Sequence, residues 1–193
     1  MQAQPHKKII LAIAGSSGSI YAKLLMDFLH SYTGDITVGV VKSTNGQVNW
    51  DIEIAEENIE ARYPKFTFYG KQDFNAPFAS GSAKYTAMVV CPSSMGVIGR
   101  IANGLSSDLM TRAADVIFKE RRTLIVVPRE TPLSLLHLRN LTTIAELGGT
   151  VIPAVPSFYS QPKTIEEAAM TVVSRIIDHL GLTQDTYRWG ESE

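Results

Sequence analysis

The chain is nearly without cysteine. Cys91 is the only one in 193 residues, so no intrachain disulfide can form and no multi-cysteine metal site can be built. Charge of either sign is not in excess: 18 Lys and Arg face 19 Asp and Glu, a net charge of −1. There is no basic field to gather nucleic acid or an anionic membrane. No apolar run reaches the length of a membrane span. Residues 1–8, MQAQPHKK, lack the apolar segment and cleavage site of a signal peptide. The four histidines, His6, His30, His137 and His179, show no metal-ligand spacing, and no Ser/His/Asp set assembles. A cytoplasmic enzyme or binding domain that needs no metal fits these absences. With 45% hydrophobic residues and this length, one domain with a substantial core is expected.

What is present is an alternation of apolar runs and helical patterns, the signature of a parallel sheet with helices on both faces. Strands are expected at Ile9–Ile13, Ile36–Val41, Ala87–Cys91, Leu124–Val127 and Val151–Val155, with a short one at 66–69. Helices are expected from Ile20 to Leu29, from Trp50 to about Arg62, from the 92–96 turn to Asn103, from Ser107 to Glu120, over 133–147 and from Thr164 to Gly181. Thr131 and Pro132 read as N-cap and first residue of the 133–147 helix, and Thr164 with Glu167 as a capping box. The Gly, Ala, Ser and Pro-rich stretch 70–84 reads as a functional or mobile loop. Residues 1–7 and 183–193 read as flexible or oligomer-contacting tails.

The first strand stops in Gly15-Ser16-Ser17-Gly18-Ser19 and a helix follows at once. Such a turn aims backbone N–H groups and hydroxyls at one point at the positive end of a helix dipole, a place for phosphate or another anion. It is not G-x-G-x-x-G, a P-loop or a nucleophile elbow. The other irregular features also fall at strand ends, at Ser43, 92–96, Arg129-Glu130 and 156–159, where open α/β sheets bind ligands. Arg112 and Lys119 lie two helical turns apart on one face, either a phosphate grip or a solvated stripe. Spacing alone makes Glu53, beside Asp51, Glu56 and Glu57, part of a solvated acidic face. Arg175 reads as a boundary arginine, Tyr159 as a gate or a packing aromatic, and Cys91 as core.

Seven ordered motifs then resemble the flavin prenyltransferases of the UbiX group. They are Gly15-Ser16-Ser17-Gly18, Cys91-Pro92-Ser93-Ser94-Met95, Arg112-Ala113-Ala114-Asp115-Val116, Lys119-Glu120-Arg121-Arg122, Pro128-Arg129-Glu130-Thr131-Pro132, His137-Leu138-Arg139-Asn140 and Pro156-Ser157-Phe158-Tyr159. The resemblance runs from about Lys8 to Gly190. It implies a Rossmann-like, flavodoxin-like fold, a homo-oligomer (usually a dodecamer), and transfer of a dimethylallyl group from dimethylallyl phosphate to reduced FMN at N5 and C6 without a metal. The product, prenylated FMN, serves a UbiD-type decarboxylase, and an older aromatic-acid decarboxylase label is replaced. By position, Gly15, Ser16, Ser17, Ser43, Ser94, Met95, Gly96, Val97 and Arg129 correspond to FMN contacts. Tyr159 and Arg175 correspond to ligands of the donor phosphate, with Lys119 and Arg129 adding charge and Phe74 an aromatic wall. Glu53 and Glu130 correspond to active-site acids, with Ser17, Lys119 and Arg112 beside them.

The chain departs from the family in four places. Ser16 stands where many members have alanine, Ser93 replaces a cysteine, Val97 replaces a hydroxyl residue and Phe74 stands where some have tryptophan. Two other functions are compatible with a flavin site. An FMN-dependent cysteine decarboxylase would want a catalytic histidine and an Asn-containing turn in place of Ser94-Met95-Gly96. A flavin carrier would have no use for a second phosphate site.

Overall fold

The computed structural model describes residues 6–55 and 58–190. Among them a six-stranded sheet has the order β3-β2-β1-β4-β5-β6, with β1 Lys7–Ile13, β2 Ile36–Lys42, β3 Thr67–Tyr69, β4 Ala87–Ser93, β5 Thr123–Pro128 and β6 Thr150–Val151. Every pairing is parallel. Seven α-helices lie among the described residues, six between strands and the last after β6: α1 Ser19–Ser31, α2 Thr44–Glu53, α3 Ile59–Arg62, α4 Met95–Ala102, α5 Leu109–Lys119, α6 Leu135–Glu146 and α7 Ile165–His179. This is a doubly wound Rossmann-like sheet, as expected.

The continuous apolar character of the central strands follows from burial on both sides. Alternate residues of β1 divide between two cores. Ile9, Leu11 and Ile13 pack with α1 and α7, while Ile10, Ala12 and Ala14 pack with α4 and α5. The strand order reverses between β1 and β4, so the loops after these two strands splay apart and leave a crevice at their carboxyl ends. Both small-residue turns of the sequence open there.

Several boundaries differ from expectation. The helix expected from Trp50 to Arg62 is two helices. α2 begins at Thr44, because Ser43 is an extended N-cap whose hydroxyl accepts the Gly46 N–H at 2.9 Å. Gly46 sits against the Ile13 carbonyl, where a side chain would collide, so a residue that reads as a helix breaker starts this one. Ala55 takes a positive φ of 54° and ends the run. Glu56 and Glu57 lie outside the described residues.

Residues 129–134 are irregular, and α6 starts after Ser134 rather than Thr131. Ser134 accepts the His137 N–H at 3.2 Å and His137 Nδ1 accepts the Ser134 N–H at 3.3 Å. That reciprocal cap, with histidine in the usual place of Glu or Gln, satisfies more end groups than Thr131 could. Thr164 accepts the Glu167 N–H as expected, but the Glu167 carboxylate returns to Lys163 N. The last strand is only Thr150–Val151, although Ile152 and Ala154 still donate to Val126 and Pro128 at 2.9 and 3.0 Å.

The 70–84 stretch is not structureless. It forms two 3-10 turns, Pro77–Ala79 and Gly81–Ala83, around the fully buried Phe78, whose ring meets Tyr69 and Tyr85 edge-on. Residues 183–190 are likewise not a loose tail, since they are hydrogen-bonded along α7 through Gln184, Thr186 and Arg188. Lys7 belongs to β1.

Candidate active site

The crevice is built by three loops that brace one another. Ser16 is buried, and its hydroxyl donates to the Arg129 carbonyl at 2.6 Å. Arg129 Nε donates back to the Ser17 carbonyl at 3.0 Å. These two bonds cross over the end of β4 and hold the β1 and β5 loops at a fixed separation. Ala14 N–H donates to the Pro92 carbonyl at 3.1 Å, which ties in the third loop. The unusual serine at position 16 therefore has a structural partner that alanine would lack.

Gly15 passes close against Asn45 at the start of α2, in a space that a side chain would fill. Gly18 is the N-cap of α1 with φ 110°, a conformation that glycine adopts without penalty. Around these glycines the backbone is accessible from the crevice, and Ser17 is exposed there.

The positive end of α1 already carries an anion. Glu53, at the end of α2, accepts the N–H groups of Gly18 at 2.9 Å and Ser19 at 2.7 Å. It is thus not part of a solvated acidic face, and the turn expected to receive a phosphate at this point holds a carboxylate instead. Burial pushes the Glu53 carboxyl up. Hydrogen bonds from the Ser19 and Gly18 N–H groups, with the Ser17 and Ser19 hydroxyls nearby, outweigh that, and it lies below the usual glutamate range.

A group depressed on folding contributes stability above its unfolded value, near 4.3, that is lost as pH falls through its lower folded value. Wild type should therefore lose stability relative to Glu53→Gln between roughly pH 5 and pH 3. Urea unfolding midpoints of the two proteins across that range test this. A constant difference would remove the carboxylate from the α1 terminus.

The second small-residue turn supplies a helix start without a side-chain cap. Ser94 is the N-cap of α4 and its hydroxyl makes no capping bond. Gly96 is exposed, with open space where a Cβ would stand. Met95 and Val97 point inward and are 5% and 3% exposed. The Val97 side chain therefore belongs to the core, and its N–H donates to the Ser94 carbonyl at 3.1 Å. Ser43 spends its hydroxyl oxygen on the α2 cap while its backbone N–H donates to Ile13.

Glu130 is exposed beside Arg129, where one carboxylate oxygen accepts the Thr131 N–H at 3.2 Å. Cys91 lies wholly buried in β4, and burial pushes its thiol far up, so it has no thiolate to offer.

A groove of about 400 Å³ brings Tyr159 and Arg175 together with Met170, Asp178, Arg188 and Trp189. Tyr159 and Trp189 meet edge-to-face with centroids 4.9 Å apart. Arg175 is 62% exposed and reaches Asp178 at 3.1 Å. Asp178, Arg188 and Trp189 were not singled out in the sequence. Asp178 was open to detection, three residues from Arg175 on the same helix, whereas nothing local marks Arg188 or Trp189.

The remaining cations stand elsewhere. Arg112 donates to the Ala79 carbonyl at 3.1 Å and pairs with Asp115 at 2.9 Å. Lys119 ends α5 four residues before β5 begins, at the amino-terminal edge of the sheet and opposite the crevice, where it pairs with Glu120 at 2.7 Å. Phe74, in the 70–84 segment, is 47% exposed. One copy of the chain thus joins Gly15–Ser19, Glu53 and Arg129-Glu130, and it joins Tyr159 with Arg175. It does not bring Lys119 to either.

Comparison with known proteins agrees with this geometry. The Flavoprotein family profile matches residues 1–182. Flavin prenyltransferase UbiX of Methanocaldococcus jannaschii is 38% identical over 184 residues, covering 95% of this chain and 98% of that one. Its counterpart from Pseudomonas aeruginosa is 37% identical, covering 96% and 95%. The chain belongs to the flavin prenyltransferase family.

Two solved structures of the group superpose along nearly the whole length. The AnUbiX complex with FMN and dimethylallyl pyrophosphate has a TM-score of 0.89 at 32% identity, covering 98% of this chain and 100% of the other. A dodecameric FMN-dependent UbiX-like decarboxylase from Escherichia coli O157:H7 has a TM-score of 0.90 at 30% identity, covering 96% and 100%. FMN-dependent cysteine decarboxylase TvaF superposes at 0.59 with only 16% identity, a likeness of fold alone. Among the described residues, no group of His, Cys, Asp and Glu is arranged to hold a metal, and no helix is long and apolar enough to cross a membrane.

Proposed function

We propose that this chain transfers a dimethylallyl group from dimethylallyl phosphate to reduced FMN, with new bonds at flavin N5 and C6 and release of inorganic phosphate. The observation that carries this is the coexistence of two differently equipped sites in one flavin prenyltransferase relative. A braced, glycine-lined crevice opens at the switch point of the sheet, and a second groove offers an arginine and a tyrosine. A flavin carrier would need only the first.

The crevice fits FMN. Gly15, Ser16 and Ser17 present backbone at close range, the uncapped start of α4 at Ser94, Met95 and Gly96 presents N–H groups with Val97 packed behind them, and Arg129 adds a cation. Ser43 stands at the neighbouring strand end. Reduced flavin, when bound, supplies the nucleophilic N5 and C6. Tyr159 and Arg175 bind the donor phosphate, and cations stabilise the charge that grows on it as its carbon–oxygen bond breaks. Ser17 holds the phosphate proton. Glu130 moves a proton, to the departing phosphate or from flavin C6. Glu53 keeps Gly18 and Ser19 in place, and Phe74 contributes an aromatic wall for developing allylic charge.

Lys119 and Arg112 reach such a site from a neighbouring copy. Support for assembly comes from α6, where Leu135 and Leu136 are 63% and 64% exposed and Ile144 is the buried residue, leaving an apolar surface for another subunit. The E. coli relative is described as dodecameric, and a homo-oligomer of that kind is the assembly we favour. We assign the protein to the cytoplasm and its product to a UbiD-type decarboxylase.

Anaerobic incubation with reduced FMN and dimethylallyl phosphate, followed by mass spectrometry, tests the reaction. The flavin is expected to gain one five-carbon unit, with dimethylallyl diphosphate as a parallel donor. FMN that stays bound and unmodified with either donor would refute prenyl transfer.

A further inference from the structure

The groove that holds Tyr159 and Arg175 has a wall that belongs to neither the sheet nor its connecting helices. It is residues 183–190, folded back along α7. Gln184 Nε2 donates to the Ser174 carbonyl at 2.7 Å and to Asp178 Oδ1 at 2.8 Å. Arg188 grips the same carboxylate with both terminal nitrogens, at 2.7 Å to Oδ2 and 2.8 Å to Oδ1. Trp189 then lands on the edge of Tyr159.

Asp178 lies one helical turn from Arg175, so in isolation it would be that arginine's strongest partner. A carboxylate and a phosphate compete for the same guanidinium. In the folded chain the contest is uneven. Arg188 and Gln184 make three bonds to the two Asp178 oxygens, while Arg175 makes a single one at 3.1 Å and remains 62% exposed. The fork-to-fork Arg188 pair is the stronger geometry and leaves Arg175 weakly held. Hydrogen bonding from Arg188 is also the largest influence on the Asp178 carboxyl, which is held below the usual aspartate range.

We propose that Arg188 is a positioning residue for the donor phosphate: it occupies Asp178, keeps that carboxylate off Arg175, and so leaves Arg175 available to a phosphate dianion. This rests on Arg175 being a phosphate ligand. Arg188 acts through Asp178 and touches no substrate itself. Losing it turns Asp178 from a satisfied anchor into a competitor for Arg175.

The test uses full-length protein with reduced FMN. Arg188→Ala is expected to raise KM for dimethylallyl phosphate about tenfold, the worth of one charge-assisted hydrogen bond, with kcat changed less than about twofold. Adding Asp178→Asn to Arg188→Ala is expected to return KM to within about threefold of wild type, because the competing charge is gone. Arg175→Ala serves as the reference. If it leaves KM unchanged, the phosphate assignment fails and this proposal with it. If Arg175→Ala raises KM and Arg188→Ala does not, only the positioning role fails. A KM raised by Arg188→Ala that Asp178→Asn does not restore would also overturn it, since Arg188 would then be acting without Asp178. Should Arg188→Ala fail to fold by circular dichroism, Arg188→Lys, which keeps charge and loses the fork, is expected to raise KM by a smaller factor that Asp178→Asn again reverses. An unchanged KM in Arg188→Lys, or a raised one that Asp178→Asn leaves in place, would count against the proposal.

Discussion

Glu130→Gln should keep FMN bound while formation of prenylated flavin slows by roughly two to four orders of magnitude, the usual range for losing a general acid or base. Glu130 is exposed at the lip of the crevice, next to the arginine that braces the Gly15–Ser19 turn. Its one side-chain hydrogen bond among the described residues is to the adjacent Thr131 N–H, which an amide oxygen can still accept. The substitution therefore removes a proton carrier without disturbing the fold or the Ser16–Arg129 brace. Bound flavin measured by absorbance and product measured by mass spectrometry separate the two effects. Turnover within about threefold of wild type would take Glu130 out of the chemistry.

Trp50→Ala should cost about 3–5 kcal/mol of stability, the range for deleting a fully buried large aromatic. Trp50 is 0% exposed and, with Gly46, makes up the buried face of α2. Its indole N–H has no hydrogen-bond partner among the described residues, so the residue acts by volume and apolar contact in the core beneath α1. The effect extends beyond stability. α2 is only ten residues long, with Ser43 at one end and Glu53 at the other, and Trp50 is one turn from Glu53. Loosening α2 loosens the carboxylate on the α1 terminus and the wall against Gly15. Chemical denaturation should show the large loss, and flavin titration should show weakened binding in the protein that remains folded. A loss under about 1 kcal/mol would mean that α2 is seated by something else.

The same helix shows why part of the molecule was legible from its residues and part was not. Strand positions followed from apolar runs such as 9–14 and 87–91, because a strand buried on both faces needs nothing from its neighbours to declare itself. Helix ends were less legible. Asn45-Gly46 looks like a breaker, yet it begins α2, since the demand for a glycine comes from the Ile13 carbonyl, remote in sequence. Thr131-Pro132 looks like a helix start, yet Ser134 and His137 cap each other and win.

The site divides along the same line. Sequence alone determined a parallel α/β chain with small-residue turns at its strand ends, and motif order along the chain carried the likeness to flavin prenyltransferases. Those are local or ordered features, written in single segments. Only the tertiary structure decided what each polar group does. It placed Glu53 on the α1 terminus, gave Ser16 to the Arg129 carbonyl, sent Lys119 to the far edge of the sheet, and brought Arg188 onto Asp178. A hydrogen bond or an ion pair is a property of two groups at one distance, and for segments far apart in sequence only the packed fold sets that distance.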